Sequence, residues 1–295
     1  MSDYVLSCCS TADLTKEQFE KRDIKVVSFH FELDGKQYLD DGEYPISDFY
    51  KAMADGAMTK TSQVNTEEYM NHFRPFLEEG KDIIHLTLSS GISGSINSAN
   101  IAADTLREEF PDRKIYIIDS RAASSGYGLL MHEIADKRDE GLGIDELKDY
   151  ILETRLKINH WFFTTDLTYL VRGGRVSKAA GFFGGALKIC PLLHVDYAGR
   201  LIPKAKLRGK SAVIKACAKK MLECADGGAS YNGRCYISQS ACMEDANMLI
   251  EEVEKLIPTM KGKIQIYDIG TTIGSHTGPG TVALFFIGKE RTEND

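Results

Sequence analysis

The chain has 295 residues, of which 43% are hydrophobic and 27% are charged, and its formal net charge is −7 at pH 7. This length accommodates two domains with separate cores, and the composition is that of an ordinary globular protein. The negative charge argues against broad nucleic-acid binding, which needs a basic surface. The sequence has no basic-then-apolar leader and no apolar run near the roughly 18 residues of a membrane span. We therefore expect a cytoplasmic protein.

Seven cysteines are distributed along the chain without any CxxC pair; they occupy positions 8, 9, 190, 217, 224, 235 and 242. In a cytosolic protein such residues are mostly buried, reduced thiols that pack as small hydrophobic groups. We therefore expect no disulfide framework, no zinc or other metal site, and no cofactor.

The first half of the sequence predicts strands that alternate with helices. The strands cover residues 4–10, 25–33, 83–88 and 114–119. The helices begin near Pro45, after Asn65, near Gly94, near Ala122 and at Asp145. Such alternation predicts right-handed crossovers and a largely parallel sheet, with ligands at the carboxyl ends of its strands. The small residues within 119–128 favour close packing of the helix that follows them.

Beyond residue 158 the pattern changes to a hairpin followed by further strands and helices. The strands cover residues 161–165, 191–195, 200–207, 235–239, 264–269 and 281–288, and the helices 211–225 and 244–256. The hairpin predicts antiparallel pairing, so the second sheet should be mixed. We expect an α/β protein with an N-terminal domain over residues 1–158 and a C-terminal domain over residues 159–295.

A loop of glycine and serine residues at 91–99 joins the apolar run 83–88 to a helix, with Ser93 near the helix N-cap. Unpaired backbone N–H groups and the helix dipole favour an anion at such a position. The loop lacks the lysine of a P-loop and the spaced glycines of a dinucleotide site. It therefore favours a small anion such as a carboxylate, although many loops of this kind are only tight turns.

Three further polar segments each allow a functional and a structural interpretation. Thr61 and Ser62 are either two hydroxyl donors at a cleft or part of a polar turn. The guanidinium of Arg175, beside two glycines, either neutralises a buried anion or is solvated. His276 lies in a glycine-rich stretch, 271–280, that we predict to be a loop, and is either a site residue or a structural histidine.

The cations in the second half of the chain are concentrated in one region, at Lys204, Lys206, Arg208, Lys210, Lys215, Lys219 and Lys220. Such a cluster is either a solvated face or a docking surface for an acidic partner.

Taken together and in order along the chain, these motifs resemble the DegV family of bacterial fatty-acid-binding proteins. The matching segments are residues 10–14, 61–63, 90–94, 119–120, 173–175 and 276–280. The resemblance implies two α/β domains with a long-chain fatty acid held between them. It also implies that Thr61 and Ser93 bind the carboxylate, with Ser62 and Gly94 adjacent. Arg175, His276 and Thr277 would close the head-group region.

The resemblance further implies that the protein is a carrier and not an enzyme. It would present its fatty acid to a separate fatty acid kinase, which makes an acyl-phosphate, and contact membranes only transiently to exchange lipid. We expect Arg208 to contribute to docking of that kinase. Cys9 and Cys190 stand where the family usually has an aspartate and a lysine, so the charge near the pocket should differ.

The physical requirements of a lipid ligand agree with this interpretation. Burial of an acyl chain gains about 0.8 kcal/mol per methylene, on the order of 10 kcal/mol before ordering losses. Candidates for the apolar tunnel are Trp161, Phe162, Phe182, Phe183 and Leu187.

Two alternatives remain open. One is an acyl-transfer or hydrolytic enzyme with Ser93 as nucleophile and His276 as base. The sequence has no GxSxG elbow and no evident residue to orient the histidine. The other is a regulatory interaction module without a ligand, which would leave the serine and glycine loops unexplained.

Overall fold

A computed structural model describes residues 4–177 and 189–293. The described strands are β1 (Tyr4–Cys9), β2 (Ile24–Val27), β3 (His30–Leu33), β4 (Lys36–Leu39), β5 (Thr59–Ser62), β6 (Asp82–Thr87), β7 (Ile115–Asp119), β8 (Ile158–Thr164), β9 (Ile189–Val195), β10 (Leu201–Arg208), β11 (Cys235–Gln239), β12 (Gln265–Asp268) and β13 (Thr281–Ile287). The described α-helices are α1 (Lys16–Lys21), α2 (Ile46–Ala54), α3 (Thr66–Glu78), α4 (Ser95–Glu109), α5 (Ser124–Asp139), α6 (Ile144–Thr154), α7 (Thr168–Arg172), α8 (Lys210–Cys224), α9 (Met243–Leu256) and α10 (Thr271–Thr277). Among them, no helix combines the length and the hydropathy that crossing a bilayer requires.

The N-terminal sheet has the strand order β2-β1-β6-β7, and its described pairs are all parallel. This confirms the parallel sheet that the strand–helix alternation predicts. The capping box at the start of α3 is also present. Asn65 Oδ1 accepts the Glu68 N–H at 3.0 Å, and Glu68 Oε2 accepts the Asn65 N–H at 2.8 Å.

The C-terminal sheet has the order β10-β9-β8-β13-β11-β12 and is mixed, as expected. The predicted hairpin is β9 paired with β10 in antiparallel register, and β11 and β12 are parallel. Strand β13 lies between β8 and β11 and is antiparallel to both.

A small antiparallel sheet of order β4-β3-β5 is absent from the sequence prediction. The single strand expected over residues 25–33 is wrong, because the chain leaves the parallel sheet after Val27 and resumes as β3. At the break, the Phe29 N–H donates to Ser10 Oγ at 3.1 Å and not to a neighbouring strand. Thr61 and Ser62 lie in β5, which pairs with β3, and not in a polar turn.

Helix α5 is buried along most of its length and contacts β8, β11 and β13 of the second sheet. Its glycines permit this, because a Cβ on Gly126 would overlap His160 and Phe285. The close packing predicted from the small residues is therefore confirmed. One apolar core contains residues from both halves of the chain, such as Leu86 and Phe285. The division into domains at residue 158 stays a prediction.

Arg291 is a buried cation that sequence analysis missed, with only 1% of its surface exposed. Its guanidinium donates to five backbone carbonyl oxygens, those of Arg121, Arg155, Leu156, Val195 and Asp196. It thereby ties the hairpin of β9 and β10 to the segments that follow β7 and α6.

Replacement of Arg291 with leucine should destabilise the protein by about 3 kcal/mol, because several buried carbonyls lose their donors. Urea unfolding monitored by circular dichroism would measure the change. Glu290→Leu, an exposed neighbour, is the control. Equal unfolding midpoints for the two variants would contradict the assignment.

Candidate functional site

A cavity of about 410 Å³ is lined by residues from both halves of the chain. Its floor is formed by alternate residues of β8 and β13, where Phe162 pairs with Ala283 and His160 with Phe285. Alternate residues of a strand share one face, so this spacing brings these side chains to the same surface. The volume lies within the range of small-molecule sites.

The cavity has an apolar interior and a polar rim. Buried side chains of the interior include Phe29, Leu88 and Val195. The rim carries polar residues that sequence analysis proposed, namely Thr61, Ser62, Ser93, Arg175 and His276, together with Gln63, whereas Thr277 lines the cavity as a buried residue. Ser62 and Gln63 are exposed, so the polar rim lies at the protein surface. Six of the residues proposed from separate segments are therefore brought together.

Thr61 and His276 are joined by a hydrogen bond of 2.8 Å between Oγ1 and Nε2. Burial and, to a smaller extent, the nearby Arg175 lower the pKa of His276 to about 4, so the imidazole is neutral at pH 7. Gly173 makes room for this ring, because a Cβ at residue 173 would overlap His276 Nδ1. The glycine beside Arg175 therefore has a packing role at the rim.

Ser93 directly precedes Gly94, the N-cap of α4. Its Oγ accepts the N–H of Ser95 at 3.2 Å, and Ser93 lines the cavity. A hydroxyl whose oxygen accepts one bond still has its own proton to donate. Gly94 is exposed and borders the cavity residue Gln63, since a Cβ at residue 94 would lie 3.1 Å from Gln63 Oε1.

Arg175 is a half-buried cation on the cavity wall. Its Nε donates to the Ile92 carbonyl at 3.2 Å, and Nη1 donates to the Gly173 carbonyl. In the part of the chain that the structure describes, no carboxylate pairs with it. Burial lowers its pKa, which records the cost of holding this charge away from water. The rim therefore offers an uncompensated positive charge.

Part of the serine and glycine loop serves packing. A Cβ on Gly91 would lie 2.5 Å from the backbone of Gly199 in the β9–β10 hairpin, and Ser89 Oγ donates to the Gly199 carbonyl at 2.8 Å.

The loop predicted over residues 271–280 is wrong for its first part, which forms α10. His276 and Thr277 therefore project from a helix, whose N–H···O bonds run from Gly274 to Gly270 and from Gly278 to Gly274.

The prediction of an apolar tunnel is correct for Phe162 and wrong for Trp161. Phe162 lines the cavity, but Trp161 belongs to the second apolar core and stacks on His194, because neighbouring residues of a strand face opposite ways. Phe182, Phe183 and Leu187 lie outside the described residues. Sequence analysis missed Phe29, His160 and Thr272, although the alternation along residues 158–164 could have indicated His160 together with Phe162.

Cys9 is buried in the apolar core that both halves of the chain share, Cys190 is buried in the second apolar core, and neither lines the cavity. The change of charge that we expected at the pocket therefore does not come from a cysteine in the cavity wall. Arg208 lies at the end of β10, is exposed, and is separate from the cavity lining. Of the other cations near it, Lys210 pairs with Asp245 at 2.6 Å and Lys220 with Glu223 at 2.8 Å.

Comparison with known proteins identifies the family. A family model described as "Uncharacterised protein, DegV family" matches residues 9–289. A DegV domain-containing protein of Clostridium perfringens is 36% identical over 99% of both chains. A fatty acid-binding protein of Thermotoga maritima is 33% identical over 93% of this chain and 94% of its own. The crystal structure of a stearic acid-binding protein from Eubacterium ventriosum superimposes with a TM-score of 0.85 at 27% identity, covering 97% of this chain and 98% of that one. The chain belongs to the DegV family.

Proposed function

We propose that the protein binds a long-chain fatty acid in this cavity, with the carboxylate at the rim beside Thr61, Ser93 and Arg175. The observation that carries the proposal is the half-buried Arg175, which has no carboxylate partner among the described residues and stands at the mouth of an apolar cavity. A buried charge is stable only when it is paired and hydrogen-bonded. A ligand with one anionic end and an apolar body satisfies both parts of the site.

Related proteins support the class of ligand. The relative from Thermotoga maritima is named a fatty acid-binding protein, and the Eubacterium ventriosum structure is described as binding stearic acid. The polar residues of the rim add neutral donors, since the hydroxyls of Thr61 and Ser93 can both bond a carboxylate oxygen. Because Ser62 and Gln63 are exposed, the carboxylate would lie near the surface while the acyl chain runs inward.

The direct test is mass spectrometry of an organic extract of protein purified under native conditions. We expect one long-chain fatty acid per protein molecule, in a mass range that reports chain length and unsaturation. Protein that has been stripped of lipid should take up added palmitate with the same stoichiometry. Extracts empty of lipid together with no uptake of palmitate would overturn the proposal.

The variants Ser93→Ala and Thr61→Ala should each lower palmitate affinity about tenfold, because each removes a donor to a charged acceptor. Thr61→Ala also removes the partner of His276, so its effect should be the larger. Isothermal titration calorimetry of delipidated protein measures both. Thr105→Ala, an exposed hydroxyl farther along α4, is the control. Affinities equal to that of the control would show that the head group lies elsewhere.

We also propose that the protein presents its fatty acid to a separate fatty acid kinase. The position of the polar rim at the surface supports this, because a partner enzyme could reach the carboxylate without extraction of the acyl chain. The exposed Arg208 would contribute to docking, where a surface charge acts mainly on the association rate in a salt-dependent way.

Arg208→Glu should slow acyl-phosphate formation by such a kinase several-fold at low salt and leave palmitate binding intact. Initial rates of phosphorylation at two salt concentrations, with purified kinase, measure this effect. Lys261→Glu, an exposed cation outside the basic cluster, is the control. Rates unchanged at low salt would show that Arg208 is only a solvated surface residue, and loss of palmitate binding would indicate misfolding.

The structure gives the acyl-transfer alternative little support. The described hydrogen bond of His276 is to Thr61 and not to Ser93, and burial lowers the pKa of His276 to about 4, which makes it a weak base at pH 7. Hydrolysis of acyl esters by the parent protein that is lost in both Ser93→Ala and His276→Ala would support the enzyme alternative.

A further inference from the structure

Behind the cavity rim, six side chains form a continuous path of hydrogen bonds, which we call the buried polar chain. Its members are Ser7, Cys9, Tyr69, His72, His85 and Ser95. Ser7 Oγ is 2.8 Å from His72 Nε2 and 2.9 Å from His85 Nδ1. All of them except His72 are buried, and they connect β1, α3 and β6 to the first residue of α4.

Cys9 is the central member of this chain. Its Sγ lies 3.7 Å from His85 Nε2 and 3.4 Å from Tyr69 Oη. Tyr69 is fully buried, and its Oη is 2.5 Å from Ser95 Oγ. A thiol is a weak hydrogen-bonding group, whereas a phenol is a good donor. The short Tyr69–Ser95 bond is therefore the stronger of the two contacts of Tyr69, and it fixes the side chain of Ser95, the first residue of α4.

The chain is uncharged at neutral pH. Burial lowers the pKa of His72 to about 4 and that of His85 well below its usual range. Burial raises the pKa of the Cys9 thiol to about 11, and burial also raises the pKa of Tyr69. These groups therefore act as oriented neutral hydrogen-bonding partners, and not as a second set of ions that would compete with Arg175 for an anion.

The last link reaches the ligand site through Ser95. The backbone N–H of Ser95 donates to Ser93 Oγ at 3.2 Å, while its side chain is bonded to Tyr69. A fixed Ser95 thus occupies a lone pair of Ser93 and leaves the Ser93 proton to donate into the cavity that Ser93 lines. If Ser95 shifted, the orientation of the Ser93 hydroxyl would no longer be set.

We infer that Tyr69 and Cys9 are positioning residues for the head group of the ligand: through Ser95 they hold Ser93 as a hydrogen-bond donor to the carboxylate. This inference rests on the proposed function. It predicts that removal of the Tyr69 hydroxyl weakens binding of an ionised fatty acid only while the Ser93 hydroxyl is present, because Tyr69 acts through Ser93.

A double-mutant cycle tests this prediction with palmitate and delipidated protein. Tyr69→Phe should lower palmitate affinity about fivefold in the parent and have almost no effect in the Ser93→Ala background. Methyl palmitate, which has no anionic head group, should bind Tyr69→Phe and parent equally. Phe73→Leu, which alters a ring stacked on Tyr69 at 5.6 Å, controls for loss of core packing. It should leave the preference for palmitate over its methyl ester unchanged.

The conservative variant at residue 9 provides a second measurement. Cys9→Ala should lower palmitate affinity less than Tyr69→Phe does, because the thiol is the weaker partner, and Cys9→Ser, which keeps a hydrogen-bonding atom beside Tyr69, should restore it. Additive effects of Tyr69→Phe and Ser93→Ala, or equal affinities for Cys9→Ala and Cys9→Ser, would overturn the inference while the parent still binds palmitate. Failure of the parent itself to bind palmitate would instead overturn the proposed function.

Discussion

Replacing Arg175 with leucine is expected to lower the affinity for palmitate about a hundredfold. The guanidinium is half-buried on the wall of the cavity and is held toward the rim by the carbonyls of Ile92 and Gly173. Removal of one partner from a buried, hydrogen-bonded charge pair costs roughly 3 kcal/mol, which corresponds to about a hundredfold in Kd. The effect should exceed that of Ser93→Ala or Thr61→Ala, because those variants remove neutral donors.

Titration calorimetry with palmitate and methyl palmitate separates the charge from the shape of the site. The neutral ester should bind the Arg175→Leu variant and the parent with similar affinity, since the apolar walls are unchanged. Arg172→Leu is the matched control, because Arg172 lies in the same segment and is exposed beside Tyr169. A loss of affinity shared equally by acid and ester would show that Arg175 supports the fold and not the carboxylate.

Acidification should unfold the protein between about pH 6.5 and pH 4. Burial lowers the pKa of five histidines, at positions 72, 85, 132, 160 and 276. For three of them, His72, His132 and His276, the folded-state pKa is about 4, against 6.5 for an unperturbed side chain. The unfolded chain therefore binds more protons in this range, and the free energy of unfolding falls as the pH falls. These three histidines together should cost about 8 kcal/mol of stability by pH 4.5.

Urea unfolding at half-unit steps from pH 7.5 to 4.5 measures this dependence. The stability should be nearly constant above pH 7, where these histidines are neutral in both states. A His132→Asn variant should lose less stability on acidification than the parent, because it removes one buried imidazole. A flat unfolding free energy down to pH 5 would contradict the assignment of neutral, buried histidines.

Local patterns in the sequence were sufficient for the parallel sheet, the β9–β10 hairpin and the capping box at Asn65. The hairpin and the capping box depend on residues that are close in sequence, such as Asn65 and Glu68, whose side chains and N–H groups bond reciprocally. The parallel sheet pairs distant strands, but the repeated alternation of strands and helices indicates it. The motifs around Thr61, Ser93, Arg175 and His276 also converge on one cavity, although nothing in their spacing specified that convergence. It follows from the tertiary fold.

The errors occur where a distant contact decides the local structure. Residues 25–33 have strand propensity throughout, but Ser10 from another segment takes the N–H of Phe29 and the strand divides. The glycines near His276 favour a loop, yet α10 forms against α2, α7 and β3, where close packing requires small residues. Arg291 could not be predicted as a buried cation, because its carbonyl acceptors come from three separate segments.

The central position of β13 in its sheet has a consequence for the order of folding. The floor of the cavity requires residue 281 to pair with residue 164, and residue 285 with residue 160. Contacts between such distant residues form slowly, because the loop between them must be ordered first. Until β13 is inserted, β8 and β11 present unpaired edges, which are prone to aggregation. A ligand that binds only the completed cavity would shift the equilibrium from this partly folded state toward the folded protein. The supply of lipid during expression should therefore govern the yield of folded protein.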